Sequence, residues 1–386
     1  MATSSRYFQT VELPEQKSYP EGVLFPAVLS PTTDTNTDTN VSVTVFEEAI
    51  KTEKPWLESL LQKSGVIIFR GFPVNSPSDF NCIIEAFGFP EFSYLGGRAP
   101  RTHIIGRVYT ANESPLDKRI PFHHELAYNL DFPSKLFFYC EEAPEKGGET
   151  PVVLSHVVYE KMKERHPEVV AKLEEHGLNY ITITGDKDDA SAIGGTGWKS
   201  AYMTDDMNIA QERAAKLGSR LEWNGNAVKI IAGPRQVIKL DKGNQRRIWF
   251  INHGFGAVKS NIDEHDTYFE LGNGDPVPND AIKDCLSIME EECVAIPWKK
   301  GDIMLVNNLM SLHSRMPLLK PPRRILASLC KVVECTGFRN LAKVWRTCVR
   351  RRRGMRNVVD ENIGEKLFDE DGDDGKVYVV VKGCGG

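Results

Sequence analysis

The chain has 386 residues, 41% hydrophobic and 26% charged, the balance of an ordinary soluble globular protein. Its 48 basic against 53 acidic residues leave a net charge of −5, which argues against a general grip on nucleic acid. No apolar run approaches the roughly 20 residues of a membrane span, and the start, "MATSSRYFQTVELPEQK", lacks the apolar core of a secretory signal.

Within an N-terminal segment of residues 1–40, the stretch "PTTDTNTDTN" (31–40) carries polar turn chemistry. Residues 52–65 predict a short helix ending at Gly65, and "GVIIFRGF" (65–72) predicts a buried strand between glycines. "SPSDFNCIIEAFG" (76–88) has both helix signals, Ser76 with Pro77 at its start and Gly88 past its apolar run. A strand-rich centre follows, with "SKLFFYCEEAP" and "GGETPVVLS". "SHVVYEKMKERHPEVVAKLEEHG" predicts two helices broken at Pro167. Further strands are expected at 228–231, 236–240 and 246–251, an amphipathic helix at 280–293, and closing strands in "GDIMLVNN" and "RRILASLC". Strands with peripheral helices suit a β-barrel or sandwich better than alternating βαβ units. The basic block 345–357 and the acidic block 369–375 predict a charged, disordered tail over 336–386. Eight cysteines without a C-x-x-C pair are expected to be reduced thiols of an intracellular protein.

"PFHHELAYN" (121–129) is the richest stretch for chemistry. In a strand, residues two apart share a face, so His123 and Glu125 point together and His124 points away. Such a pair supplies two ligands to one metal, and a distant third histidine would complete a two-His, one-carboxylate face with open positions. The plainer reading of either histidine is a hydrogen-bonded core residue. The second His-x-Glu, His166 and Glu168, sits at a helix start where residues two apart do not share a face. His313, 190 residues beyond His123, is a candidate third ligand, and His253 competes with it. His103, His156, His176 and His265 read as loop or surface residues. Arg323 and Arg324 follow His313 by about ten residues and alternate faces, one suited to a dicarboxylate inside a barrel and one to a solvated edge.

At this point the sequence resembles the taurine dioxygenase/clavaminate-synthase-like Fe(II)- and 2-oxoglutarate-dependent oxygenases, most closely their plant clavaminate-synthase-like members. The resemblance is carried, in order, by "SGVIIFRGFPV", "ANESP…IPFHHE", "KLFFYCE…GGETPVVLSHVVYEKM", "GWKS", "EEECVAIPWKKGDIMLVNN", "LHSR" and "PPRRILASLCK", from about residue 7 to 334. It implies a mostly β fold with peripheral helices around a double-stranded β-helix (jelly-roll) core, set in an oxygenase domain of residues 41–335. It implies His123, Glu125 and His313 as catalytic iron ligands, Thr150 on 2-oxoglutarate, and Arg324 on the cosubstrate's far carboxylate. The implied activity is the oxidation, by hydroxylation, of a small molecule with O2, releasing succinate and CO2. Ser328 stands where sulfonate-using members carry a second arginine, and Asn307 where many members have aspartate. The loop 94–107 is expected at the barrel mouth, its Arg98 and Arg101 read as surface charge rather than as an anion site. The alternative is a non-catalytic metal- or 2-oxoglutarate-binding protein acting through partners; the intact residue set favours the enzyme. Neither nucleic acid nor membrane is an expected partner. The expected location is the cytoplasm, with 345–357 as a candidate nuclear signal.

Overall fold

The computed structural model describes residues 7–20, 22–32, 42–252 and 267–331. The expectations for residues 33–40, for His253 and His265, and for the charged tail lie outside them. Seven helices are described: α1 (Val43–Ser64), α2 (Pro77–Phe87), α3 (Ser155–Arg165), α4 (Pro167–His176), α5 (Trp198–Tyr202), α6 (Met207–Lys216) and α7 (Asn279–Glu292). Local signals set most of their ends. Ser42, Ser76 and Asp206 cap α1, α2 and α6 by accepting backbone N–H groups, and Pro167 opens α4. Gly65 and Gly88 close α1 and α2 in the left-handed conformation.

The largest sheet has eight strands, in the order Phe8–Thr10, Ala27–Pro31, Val66–Phe69, Ile303–Asn307, Lys135–Glu142, Arg324–Cys330, Val108–Thr110 and His103–Ile105. Its pairings are antiparallel except that between Ala27–Pro31 and Val66–Phe69. Both faces are covered, which is why its central strands read as unbroken apolar runs. Ile67, Phe69, Phe137, Tyr139, Leu305 and Leu326 pack under α1 and α2, against Phe46, Ile50, Leu61 and Phe80. The alternate residues, Val66, Ile68, Phe138, Met304, Ile325 and Ala327, form the opposite face with Val152, Leu154 and Trp298. Val152 and Leu154 belong to a three-stranded sheet, Val152–Leu154, Ser311–Arg315 and Ile120–His123. The site lies between these two sheets. A separate four-stranded sheet, Ser219–Asn224, Ala227–Arg235, Leu178–Thr184 and Thr267–Leu271, carries α5 and α6 on Leu221, Val228 and Ile230. No described helix is long and apolar enough to cross a membrane. The described cysteines, Cys82, Cys140, Cys285, Cys293 and Cys330, are free thiols.

Gly65 joins α1 to the sheet and shows how tight that junction is. Its φ is +75°, and a Cβ there would lie 2.5 Å from Ser311 Oγ and 3.0 Å from Leu154 Cδ2. At Gly88, φ +64°, a Cβ would meet only Lys54 Nζ at 3.6 Å. Gly65→Ala is therefore expected to cost about 1–3 kcal/mol, and Gly88→Ala about 1 kcal/mol, the cost of left-handed backbone alone. Urea midpoints of the two variants give the ordering; equal midpoints would contradict the packing argument.

Candidate active site

Sheet pairing gathers residues that are far apart in sequence. The strand Ser311–Arg315 runs antiparallel to both neighbours and sets His313 opposite His123 and Val152. The two imidazole rings are 4.2 Å apart between centroids. The strand Ile120–His123 ends at His123, so Glu125 lies in the following turn and not on the strand. Strand alternation therefore does not account for how Glu125 comes to face the same way as His123. The turn is set by Leu126, whose φ is +54°, and by Asn308. Buried Asn308 accepts from Glu125 N (2.8 Å) and donates to Glu125 O (3.0 Å) and to Pro133 O (2.7 Å).

Glu125 Oε2 comes to 3.8 Å from Nε2 of both His123 and His313. Donor atoms of His123, Glu125 and His313 all lie within 4.8 Å of one another, and all three residues are buried. His123 Nδ1 bonds Pro121 O at 2.9 Å, which leaves Nε2 facing the cluster. Burial lowers the His123 pKa against the pull of Glu125, favouring the neutral imidazole a metal needs. Arg101 Nη2 holds Glu125 Oε1 at 3.2 Å. Burial opposes the Arg101 charge, but Glu125 and Tyr94 outweigh it and its pKa is raised. Two imidazole nitrogens and one carboxylate oxygen on one side of a single cavity fit Fe(II).

The remaining histidines separate cleanly. His124 is fully buried, with Nε2 on Ser155 Oγ at 2.7 Å and Nδ1 on the backbone of Ile251 at 3.2 Å. It is the satisfied core histidine of the pair. His166 bonds Asp284 at 2.8 Å at the α3–α4 junction, away from the cluster. His156, expected on the surface, is instead buried in α3 and accepts from Arg246 Nη1 at 3.1 Å.

Thr150 lines the cavity beside the cluster and accepts from Trp298 Nε1 at 3.2 Å, leaving its hydroxyl proton for a ligand. The arginine pair faces the reverse of what was expected. Arg323 shares a face with Ile325 and lines the cavity, with Nε on Gly148 O at 2.7 Å. Arg324 is exposed and pairs with Glu141 at 2.8 Å. Arg323 lies just before the strand Arg324–Cys330, whose pairing shifts register between Arg324 and Ile325, so alternation does not set its direction; its bond to Gly148 O ties it to the cavity wall. Gly148 of "GGET" makes room for this side chain, since a Cβ there would lie 2.7 Å from Arg323 Cδ. Burial, with Arg315 nearby, lowers the Arg323 pKa to about 10, so an anion there would be favoured. Arg315 also lines the cavity but is absorbed by carbonyls, those of Asn112 (3.2 Å), Ser114 (3.0 Å), Lys118 (3.1 Å) and Pro115. Arg98 and Arg101 are not surface charges; both are buried on the cavity wall.

Asn307, the departure noted in sequence, contacts Gln62 at 3.4 Å and Leu309 N at 3.3 Å. Its neighbour Asn308 is the one that braces Glu125, and sequence reasoning missed it. Asn308→Ala would strand a buried N–H and two carbonyls, at about 1–3 kcal/mol each. Fe(II) affinity is expected to fall about 10- to 100-fold, as read by chelator competition. Unchanged affinity would mean the turn holds Glu125 without it.

A profile of the taurine catabolism dioxygenase TauD, TfdA family matches residues 28–330. A clavaminate synthase-like protein of Arabidopsis thaliana is 52% identical over 323 residues, 83% of this chain and 97% of that protein. The dapdiamide synthesis protein DdaC of Enterobacter agglomerans is 24% identical over 274 residues, 68% of this chain and 80% of that protein. Among solved structures, a taurine dioxygenase from Burkholderia xenovorans aligns over 83% of this chain and 91% of its own, with 13% identity and a TM-score of 0.46. The chain belongs to the TauD/TfdA dioxygenase family. It is an Fe(II)- and 2-oxoglutarate-dependent dioxygenase.

Proposed function

We propose that the chain hydroxylates a small molecule, releasing succinate and CO2, with His123, Glu125 and His313 as iron ligands and Thr150 and Arg323 on 2-oxoglutarate. The observation that carries this reading is the convergence of those five side chains on one cavity. Bound Fe(II) supplies the redox chemistry that couples O2 to decarboxylation of the cosubstrate. The chain's own residues orient and shield. Arg101 and Asn308 hold Glu125, and Pro121 O fixes the ring of His123. Arg323 offers a planar fork to the far carboxylate, and Thr150 a hydroxyl donor. Phe138 and Ile325 keep the wall apolar, which limits water near the reacting atoms.

The architecture is read as a double-stranded β-helix built from the eight- and three-stranded sheets. Taurine is a poor substrate on this reading. The fourth residue beyond Arg324 is Ser328, on the outer face with Leu326, and the fourth beyond Arg323 is Ala327. A cytoplasmic location is part of the same reading, with a nuclear one open through 345–357. The test is a metabolite screen scored for succinate formed with O2 consumed. Coupled formation by at least one metabolite is expected; 2-oxoglutarate binding without turnover on any would favour a non-catalytic binding protein.

A further inference from the structure

We propose that the substrate oxidised by this dioxygenase carries a carboxylate, and that Arg98 anchors it in the cavity. This rests on the reading above. Arg98 is 6% exposed, lines the same cavity as His123, Glu125 and His313, and lies over the Tyr128 ring at 4.2 Å. No acceptor among the described residues meets its buried Nη1.

The other cavity cations are accounted for. Arg101 is paired with Glu125, Arg315 with backbone carbonyls, and Arg323 with Gly148 O beside the proposed cosubstrate carboxylate. On the reading above 2-oxoglutarate is directed to the iron, Thr150 and Arg323, so loading the site supplies no counter-ion to Arg98. A buried guanidinium without a counter-ion is costly, and a ligand carboxylate would satisfy both its charge and its fork geometry.

The setting is also preorganised. Tyr128 OH donates to Gly96 O at 3.0 Å, Gly96 N donates to Ala201 O at 2.9 Å, and Asn129 Nδ2 donates to Leu95 O at 3.4 Å. The short segment leading to Arg98 is thus tied to the turn after Glu125 and to α5, so little order remains to be lost when an anion binds.

The experiment uses the full chain, loaded anaerobically with Fe(II) and 2-oxoglutarate, and follows its melting with short monocarboxylic acids, each matched with its primary amide. Some acids are expected to raise the melting temperature where their amides do not. In Arg98→Gln the apparent acid affinity should fall at least about thirtyfold, the lower end for removing one partner of a buried charge pair. Its 2-oxoglutarate charge-transfer absorbance should form with wild-type affinity. Arg98→Lys, tested in case Arg98→Gln misfolds, should recover only part of the acid response, since it keeps charge without the fork. Amides acting as well as acids, acids acting equally on Arg98→Gln, or no acid acting at all would overturn the proposal. Loss of 2-oxoglutarate affinity in Arg98→Gln would also overturn it, by making Arg98 the cosubstrate's anchor. Failure of the wild type to form the charge-transfer band is a separate result, and removes the function proposed above.

Discussion

Arg323→Ala is expected to weaken 2-oxoglutarate binding by roughly 30- to several-thousand-fold, while Arg324→Ala binds it normally. Arg323 faces the cavity and Arg324 faces solvent beside Glu141. Removing one partner of a desolvated charge pair costs about 2–5 kcal/mol, at about 1.4 kcal/mol per decade of affinity. An exposed pair such as Arg324 with Glu141 contributes about 1 kcal/mol or less, to stability alone. Arg323→Lys should rescue only partly, because an ammonium offers no fork. Iron binding should survive in all three variants, because none touches the donor cluster. The measurement is 2-oxoglutarate affinity of the Fe(II) protein by charge-transfer absorbance. Impairment in Arg324→Ala with a normal Arg323→Ala would reverse the facing.

His123→Ala, Glu125→Ala and His313→Ala are each expected to abolish stoichiometric iron binding, and His124→Ala to retain it. Each of the three removes one donor of a cluster whose atoms lie within 4.8 Å of one another. His124 spends both ring nitrogens on Ser155 and Ile251, so its loss reaches the fold and not the metal. Stranding those partners should cost about 1–3 kcal/mol of stability. Elemental analysis of purified variants reads the first effect and denaturant midpoints the second. Iron lost from His124→Ala but kept by His123→Ala would shift the ligand assignment by one residue.

What was legible in the sequence was mostly local. Ser76 and Gly88 bound α2, Gly65 ends α1 and Pro167 divides α3 from α4, because caps and prolines act within one turn of helix. The start of α1 was missed by nine residues. Strands buried on both faces announced themselves as apolar runs between glycines. The four-stranded sheet was seen only in part: its Ala227–Arg235 strand was expected, whereas Leu178–Thr184 was not, nor were α5 and α6. α5 and α6 bury small faces against Leu221, Val228 and Ile230, and Leu178–Thr184 packs into the main core through tertiary contacts, neither of which leaves a local signal.

At the site, residue types were legible and their directions were not. Arg323 lies just before its strand, and its direction is tied to Gly148, 175 residues away in the chain. Glu125 owes its place to Asn308, 183 residues away, rather than to strand alternation. The burial of Arg98 depends on packing against Tyr128. Each of these is a tertiary contact between distant segments, and only "GGET", whose Gly148 makes room for Arg323, left a local trace.

The most direct measurement is an anaerobic titration of Fe(II) and then 2-oxoglutarate into the wild-type protein, followed by visible absorbance. The account predicts a charge-transfer band saturating at one 2-oxoglutarate per iron, absent from His313→Ala and strongly weakened in Arg323→Ala. A protein that forms no band, or forms it equally well without His313, would contradict the assignment of this cavity as the iron and cosubstrate site.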